Sequence, residues 1–492
     1  MIEINNVTFT YKSEKRSGGI RNVSLTIPDG QFVVLCGESG CGKTTLTRLI
    51  NGLIPHYFEG ELDGCVTIDR NNINEQPLYD TAAEVGSVFQ NPRSQFFNVD
   101  TVSKLSFGCE NLGMPREEIL RRLEKTVSAL NMEKLLERSI FDLSGGEKQK
   151  IACGSAFMPD PDVFVLDEPS SNLDADSVLD LRNTVGYLKS AGKTVIVSEH
   201  RLYYLRGLAD RYIYIKDGEI AGDFTSERFE SITDAERREM GLRASDLGTL
   251  TAKEGVSERR KTAAARLDGF RFAYKNAPET LHMDSCEIPF GGIAGIIGHN
   301  GAGKSTFSRC FCGLEKRCGT VTAGEKVYKP KDRLNACYMV MQDVGHQLFT
   351  ESVLDEVLIS MPEEDEAAAA KILERLDLSS LSERHPASLS GGQKQRLAIA
   401  SAIASERSVV FLDEPTSGLD YRHMKAVAEM LESLRESGKT VYVITHDPEL
   451  ICECCTDIIH LEDGRIAQCY PMDDTGADRI REFFRIESPC AR

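Results

Sequence analysis

No stretch of this 492-residue chain holds the ~18–20 consecutive apolar residues that a bilayer-crossing helix needs. Any work at a membrane would therefore leave the crossing to another chain. The opening residues, Met1-Ile2-Glu3-Ile4-Asn5-Asn6-Val7, read as a strand and not as a secretory signal. Basic charge is in short supply: 58 Lys and Arg stand against 76 Asp and Glu, a net charge of −18. That balance counts against a broad nucleic-acid-binding surface. The fifteen cysteines are scattered, and the cluster Cys452, Cys454, Cys455 lacks the two paired C-x-x-C spacings of a zinc site. They read as reduced thiols in a cytosolic protein whose domains are too large to need disulfides.

What the chain does have is a repeat. Gly37-Glu38-Ser39-Gly40-Cys41-Gly42-Lys43-Thr44-Thr45 is answered by Gly298-His299-Asn300-Gly301-Ala302-Gly303-Lys304-Ser305-Thr306. Both fit G-x-x-x-x-G-K-[ST], a loop whose backbone N–H groups cradle phosphates. Each is followed by Leu-Ser-Gly-Gly (143–146 and 389–392) and then by an apolar run ending Leu-Asp-Glu-Pro (166–169 and 412–415). Ser144 to Asp167 and Ser390 to Asp413 both span 23 residues; Glu168 to His200 and Glu414 to His446 both span 32. Ordered motifs at matching intervals mark a duplication, and the length suits two units at roughly 100–200 residues per domain.

We place the first unit at 1–225, a linker at 226–263, the second unit at 264–470 and a short polar tail at 471–492. The linker carries Asp234-Ala235-Glu236-Arg237-Arg238 and Ser257-Glu258-Arg259-Arg260-Lys261, and reads as a partly helical, solvated tether. Strands are expected at Ile2–Tyr11, Gly30–Cys36, Asp162–Leu166 and Thr194–Ser198. A helix should start at Gly42–Lys43 and run through Leu46, Leu49 and Ile50. Helical stretches at Arg116–Leu136 and Asp365–Leu378 fall between phosphate loop and Leu-Ser-Gly-Gly, where 101 residues separate Lys43 from Ser144 but 86 separate Lys304 from Ser390. A helical subdomain inserted into an α/β core explains both the bias and the freedom in length.

Chemistry follows from residue type and place. Lys43 and Lys304 should contact β- and γ-phosphates, and Thr44 and Ser305 should offer hydroxyls to Mg²⁺. The helix start adds a dipole favourable to anions. Asp167 and Asp413 end apolar strands beside the phosphates, where a carboxylate holds Mg²⁺ directly or through water. Glu168 and Glu414 come next, on the opposite face if the extended backbone continues, as candidates to polarise the attacking water. His200 and His446 follow β-rich strands and could reach the γ-phosphate. Gln90 and Gln342 likewise follow apolar strands and could reach Mg²⁺ and water. Tyr11 and Tyr274, in Phe-Thr-Tyr-Lys and Phe-Ala-Tyr-Lys, are placed to stack on a base, a core tyrosine being the alternative.

With Leu-Ser-Gly-Gly-Glu-Lys-Gln (143–149), Leu-Ser-Gly-Gly-Gln-Lys-Gln (389–395), Ser171-Asn172-Leu173-Asp174 and Ser417-Gly418-Leu419-Asp420, the whole chain resembles a tandem pair of ABC-type ATPase domains. The resemblance implies an α/β fold of two P-loop NTPase domains, each with a RecA-like core, an antiparallel β subdomain and an inserted helical subdomain. It implies ATP and Mg²⁺ as cofactors. It also implies a head-to-tail sandwich in which Lys43 shares one ATP with Ser390, Gly391 and Gly392, and Lys304 another with Ser144, Gly145 and Gly146. Both halves keep every motif, so two hydrolysis-competent sites are expected. Glu147 stands where the family usually has Gln.

The segment Gln90-Asn91-Pro92-Arg93-Ser94-Gln95-Phe96-Phe97 is similar to the Q-N-P-x-x-Q-[LF] of energy-coupling-factor ATPases, which power vitamin and transition-metal-ion uptake. The second half has Gln342-Asp343-Val344-Gly345-His346-Gln347-Leu348-Phe349 and then the family-like Glu351-Ser352-Val353-Leu354-Asp355-Glu356-Val357. The first half has Thr101-Val102-Ser103-Lys104-Leu105 there and loses the acidic positions. This resemblance implies that Gln95, Phe96, Gln347 and Leu348 line grooves for coupling helices of an integral membrane scaffold, which a substrate-capture subunit accompanies. The chain would then sit at the cytoplasmic face of the cell membrane, peripherally and through its partners, with no nucleic acid. A soluble ABC-F-like factor acting on ribosomes also has tandem halves, but the net charge, the absence of a basic tail and the Q-N-P-x-x-Q segment stand against it. A sugar-importer ATPase typically has an altered second phosphate loop, whereas Lys304-Ser305 is intact. DNA-repair and chromosome ATPases would need zinc modules or long coiled coils, and neither is present.

Overall fold

Alternation and continuous apolar runs, the two strand signatures, divide the strands between two kinds of sheet. The computed structural model describes residues 1–12, 18–171, 173–255, 263–275 and 278–484. Asn172, the Ser257–Lys261 charge cluster and the end of the tail lie outside them. Two units emerge, the first built on Met1–Asp246 and the second beginning at Leu247.

The strands of the first unit are β1 (Ile2–Tyr11), β2 (Gly19–Ile27), β3 (Phe32–Cys36), β4 (Gly60–Ile68), β5 (Asn71–Asn72), β6 (Val85–Val88), β7 (Val163–Asp167), β8 (Thr194–Ser198), β9 (Arg211–Lys216) and β10 (Glu219–Thr225). One sheet, ordered β2-β1-β4-β5, is antiparallel. Its alternating residues Ile2, Ile4, Val7 and Phe9 enter the core. The other, ordered β10-β9-β3-β8-β7-β6, is parallel except at the β10 edge. All five residues of β3 and of β8 are buried, which is why each carries an apolar run, Phe32–Cys36 in β3 and residues 195–197 in β8. Helix α1 (Lys43–Ile50) leaves β3, and the inserted helices are α2 (Thr101–Asn111) and α3 (Arg116–Ala129). After them come α4 (Gly145–Phe157) and α5 (Ala175–Ser190).

Residues 226–246 correct the picture of a solvated tether. Helices α6 (Ser226–Glu230) and α7 (Asp234–Glu239) pack on the first unit. Phe229 stacks on Tyr212 with ring centroids 3.9 Å apart and planes 4° from parallel. The Tyr214 hydroxyl donates to the Met240 carbonyl (3.0 Å), and Arg206 pairs with Asp246. Leu242 and Ala244 are buried. These apolar residues are spaced irregularly among charges, so no periodicity announced them.

The second unit repeats the plan with β11 (Ala264–Ala273), β12 (Glu279–Pro289), β13 (Ile293–Ile297), β14 (Thr320–Ala323), β15 (Lys326–Tyr328), β16 (Cys337–Val340), β17 (Val409–Asp413), β18 (Thr440–Ile444), β19 (Asp457–Glu462) and β20 (Arg465–Pro471). Its sheets are ordered β12-β11-β14-β15 and β16-β17-β18-β13-β19-β20. Its helices include α8 (Lys304–Phe311), α9 (Val353–Leu358), α10 (Glu366–Arg375), α11 (Gly391–Ala404), α12 (Tyr421–Glu436), α13 (Pro448–Cys454) and α14 (Asp474–Phe483). Within this unit the Lys253 N–H donates to the Cys452 carbonyl (3.0 Å), so the far end of the linker is docked too. Cys452, Cys454 and Cys455 are buried on and just beyond α13. Among the described residues, no helix is long and apolar enough to cross a membrane.

Candidate active site

In each unit the phosphate loop leaves the central buried strand and turns at once into a helix. Gly37 (φ 149°) and Gly298 (φ 150°) begin the turn, where a Cβ would come within 2.2 Å of the Ile215 or Leu461 carbonyl oxygen. Only glycine permits so close an approach. Lys43 is buried, and its Nζ donates to the carbonyls of Gly37 (3.0 Å) and Glu38 (2.9 Å). Lys304 repeats this with Gly298 (2.6 Å) and His299 (3.0 Å). Both ammonium groups thus lie across the mouth of a loop of N–H donors. Ser39 and Gly40 form its outer turn with Glu38, and Cys41 packs inward; Asn300, Gly301 and Ala302 stand in the same places, with Gly42 and Gly303 capping the helices.

The strand ends bring the carboxylates to these loops. Thr44 Oγ1 donates to Asp167 Oδ1 (3.3 Å), and Ser305 Oγ to Asp413 Oδ2 (3.1 Å). Burial, then the neighbouring Glu168 charge, pushes the Asp167 carboxyl up; burial also raises Asp413 against the Ser305 hydrogen bond. A hydroxyl and a buried carboxylate, with a glutamine amide nearby, are hard oxygen donors of the kind Mg²⁺ takes. A cation there would relieve the buried negative charge, so the residues present fit it.

Backbone geometry at the next residue departs from the sequence expectation. The extended conformation does not continue: Glu168 has φ 44° and Glu414 φ 51°, the left-handed region. The Glu168 N–H reaches across to the Ser198 carbonyl (2.8 Å), and Glu414 likewise to Ile444 (2.9 Å). In the first unit this turn sets the carboxylate between two side chains. Gln90 Nε2 donates to Glu168 Oε2 (2.7 Å), and His200 Nε2 lies 3.3 Å from Oε1. Lys43 Nζ is 3.3 Å and Ser39 Oγ 3.5 Å from the same imidazole nitrogen. Burial raises the Glu168 carboxyl, but the His200 hydrogen bond and the His200 and Lys43 charges outweigh it and hold the group below the ordinary carboxylate range. In the second unit Glu414 Oε1 is 3.6 Å from His446 Nε2, and the His446 N–H donates to Oε2 (3.3 Å). Gln342 follows β16 as Gln90 follows β6.

Ser144 and Ser390 cap α4 and α11 with full capping boxes, leaving the N–H groups of Gly145, Gly146, Gly391 and Gly392 at the helix starts. Glu147 closes its box as Gln393 does and also pairs with Arg138 (2.6 Å), so the departure at 147 is absorbed. Tyr11 and Tyr274 use their hydroxyls on Thr45 and Thr306 (both 3.2 Å), with their rings edge-on to Phe9 and Phe272.

Gln95 and Gln347 turn inward. Each carboxamide accepts from one backbone N–H (Phe89 or Met341, both 3.1 Å) and donates to a carbonyl (Ser87 at 2.9 Å, Met339 at 3.0 Å). Phe96 and Leu348 are half-buried, and the exposed rings are the next ones along, Phe97 and Phe349.

Sequence reasoning passed over Glu199 and Asp447. Buried Glu199 accepts from the N–H groups of Ser170 (3.3 Å), His200 (2.8 Å) and Arg201 (3.1 Å) and from the Tyr204 hydroxyl (3.0 Å), tying the segment after Glu168 to the one holding His200. Asp447 does the same in the second unit through Thr416 (2.6 Å) and the start of α13. Adjacent placement of each acid to its histidine was the available signal.

The sequence profile described as ABC transporter matches residues 20–171 and 281–417. Over 95% of its length the chain is 45% identical to an ABC transporter ATP-binding protein of Treponema denticola, 96% of which is covered. A second such protein of that organism is 38% identical, with 99% of each chain covered. Among solved structures, RNase-L Inhibitor superposes with a TM-score of 0.63 over 97% of this chain and 92% of that one; at 21% identity the likeness is one of fold.

Proposed function

Because this chain belongs to the ABC transporter family, whose domains bind and hydrolyse ATP, we propose that it is the ATP-hydrolysing subunit of a membrane importer of the energy-coupling-factor type. The observation that carries the hydrolytic part is the clasp on Glu168, held by Gln90 and His200 at the end of β7 and kept ionised. In this reading Lys43 and Lys304 bind the β- and γ-phosphates. Glu168 and Glu414 take the proton of the attacking water, and His200 and His446 orient the γ-phosphate. Mg²⁺, when bound, supplies positive charge to the phosphate oxygens; Thr44, Asp167 and Gln90 would hold it in the first unit, and Ser305, Asp413 and Gln342 in the second. The N–H groups at Ser144–Gly146 and Ser390–Gly392 suit a γ-phosphate. Tyr11 and Tyr274 flank the base.

For the importer part, support comes from the Q-N-P-x-x-Q segment and from the exposed rings it presents. Phe97 and Phe349, 77% and 72% exposed, offer apolar contact to short helices of a membrane scaffold, while Gln95 and Gln347 stiffen the loops that carry them. Purification of the tagged chain from gently solubilised native membranes tests this. Polytopic membrane proteins should co-purify, and the ligand of a capture subunit would name the substrate. Ribosomes without membrane proteins would overturn the importer reading and leave the ATPase chemistry standing.

A further inference from the structure

The two loops that carry Phe97 and Phe349 share a frame but carry opposite charge at one buried position. Gln95 and Gln347 hold equivalent backbone groups, as described. The carbonyl of Lys104 accepts from Ser155 Oγ and that of Glu356 from Ser401 Oγ, both at 3.2 Å, and Ser155 and Ser401 each stand 11 residues beyond their signature serines. Lys104 and Glu356 are therefore the same site with opposite charge. Glu356 Oε2 accepts from the N–H groups of Phe349 (3.0 Å) and Thr350 (3.1 Å) and from the Thr350 hydroxyl (2.8 Å), so the second loop satisfies its own polar groups.

A lysine cannot accept those bonds. Lys104 is 5% exposed; its ammonium keeps a contact with solvent, and among the described residues no side chain pairs with it. The Phe96 and Phe107 rings face it, with centroids 5.8 Å and 5.9 Å away. Those faces offset only part of the desolvation, and burial pulls the ammonium down to about 8. Earlier in the same segment, Asn98 Oδ1 and Thr101 Oγ1 are buried without partners. The exposed ring of Phe97 lies with its centroid 6.0 Å from that of Phe107.

We propose that the Phe97–Lys104 surface of the first unit docks a segment of the membrane partner that carries a carboxylate, which takes the place Glu356 fills from within in the second unit. This rests on the importer reading above. The second loop, already satisfied, takes a segment with no such acid. The chain therefore meets two different partner segments, and its orientation on the scaffold is set by charge. Leaving Lys104 buried without an acid in the docked state would cost more than leaving it so in the free chain, where the ring faces and nearby solvent serve it.

Placing a benzophenone analogue of phenylalanine at position 97 or 349 of the full chain, in its native cells, tests this by photo-crosslinking and sequencing of the joined peptides. From position 97 the joined peptide should belong to an integral membrane protein and carry Asp or Glu within one helical turn of the attachment point. Lys104→Met should lower that yield about tenfold, and Lys104→Glu further, with the adduct from 349 retained; circular dichroism and thermal unfolding establish that each variant is folded. A peptide without a carboxylate, or a yield unmoved in folded Lys104→Glu, would overturn the assignment. Membrane adducts from 349 but none from 97 would overturn it while leaving the importer reading in place. No membrane adduct from either position would overturn both.

Discussion

Glu168 and Glu414 hold a left-handed backbone that costs a non-glycine residue on the order of 1–3 kcal/mol. That both copies keep it fits a turn that re-aims the carboxylate towards a histidine. Replacing Glu168 and Glu414 by Gln should leave ATP binding intact and lower turnover by about 10²–10⁴-fold, read by nucleotide binding and phosphate release; undiminished turnover would remove the water-activating role. His200→Ala tests the clasp separately. The His200 contact depresses Glu168, so its loss lets burial raise the carboxyl, and activity is then lost earlier as pH falls. The acid limb of kcat/KM should move to higher pH in the residual activity. A limb that stays in place would show that His200 does not tune Glu168.

Among the elements, the signature helices show how a substitution is absorbed. Glu147→Gln keeps the capping box, as Gln393 does, and loses only the Arg138 pair. For so exposed a pair the cost should stay under about 1 kcal/mol. Ser144→Ala, which removes the cap, should cost about 1 kcal/mol or somewhat more. Burial raises the Glu147 carboxyl, but the Ser144 N–H and Arg138 outweigh it, so the folded value lies below the unfolded one. Its stabilisation is therefore present above an ordinary glutamate value of about 4.3 and fades as pH falls through the folded value. Urea unfolding at neutral and acid pH should show that acid-sensitive part missing from the Glu147→Gln chain. Strand ends were read within a residue or two from runs such as Val163–Asp167, because a strand buried on both faces must be apolar throughout.

At the scale of the whole molecule, two units carry the same strand order, and residues 226–246 belong to the first. Phe229→Ala removes a buried ring stacked on Tyr212 and should cost about 3–5 kcal/mol. Limited proteolysis should then open the first unit at lower denaturant while the second holds; equal loss in both would mean the segment does not belong to the first unit's core.

Local chemistry was legible in the chain. The phosphate loops, the Asp-Glu pairs, the histidines at equal offsets and the buried strands each depend on residues close in sequence or repeated at a fixed interval, and the duplication presents every one twice. Charge along residues 226–246 hid the apolar side chains that pack there, since packing on a preformed sheet requires no periodicity of its own. The clasp on Glu168 required β3, β8 and β7 to lie side by side, so that Lys43, His200 and Glu168, far apart in the chain, meet within hydrogen-bonding distance. Glu199, the inward turn of Gln95 and the inversion between Lys104 and Glu356 acquire meaning only there too. Composition and spacing determined which groups this protein possesses; the sheet order, by bringing distant strand ends to one edge, decided which of them act together.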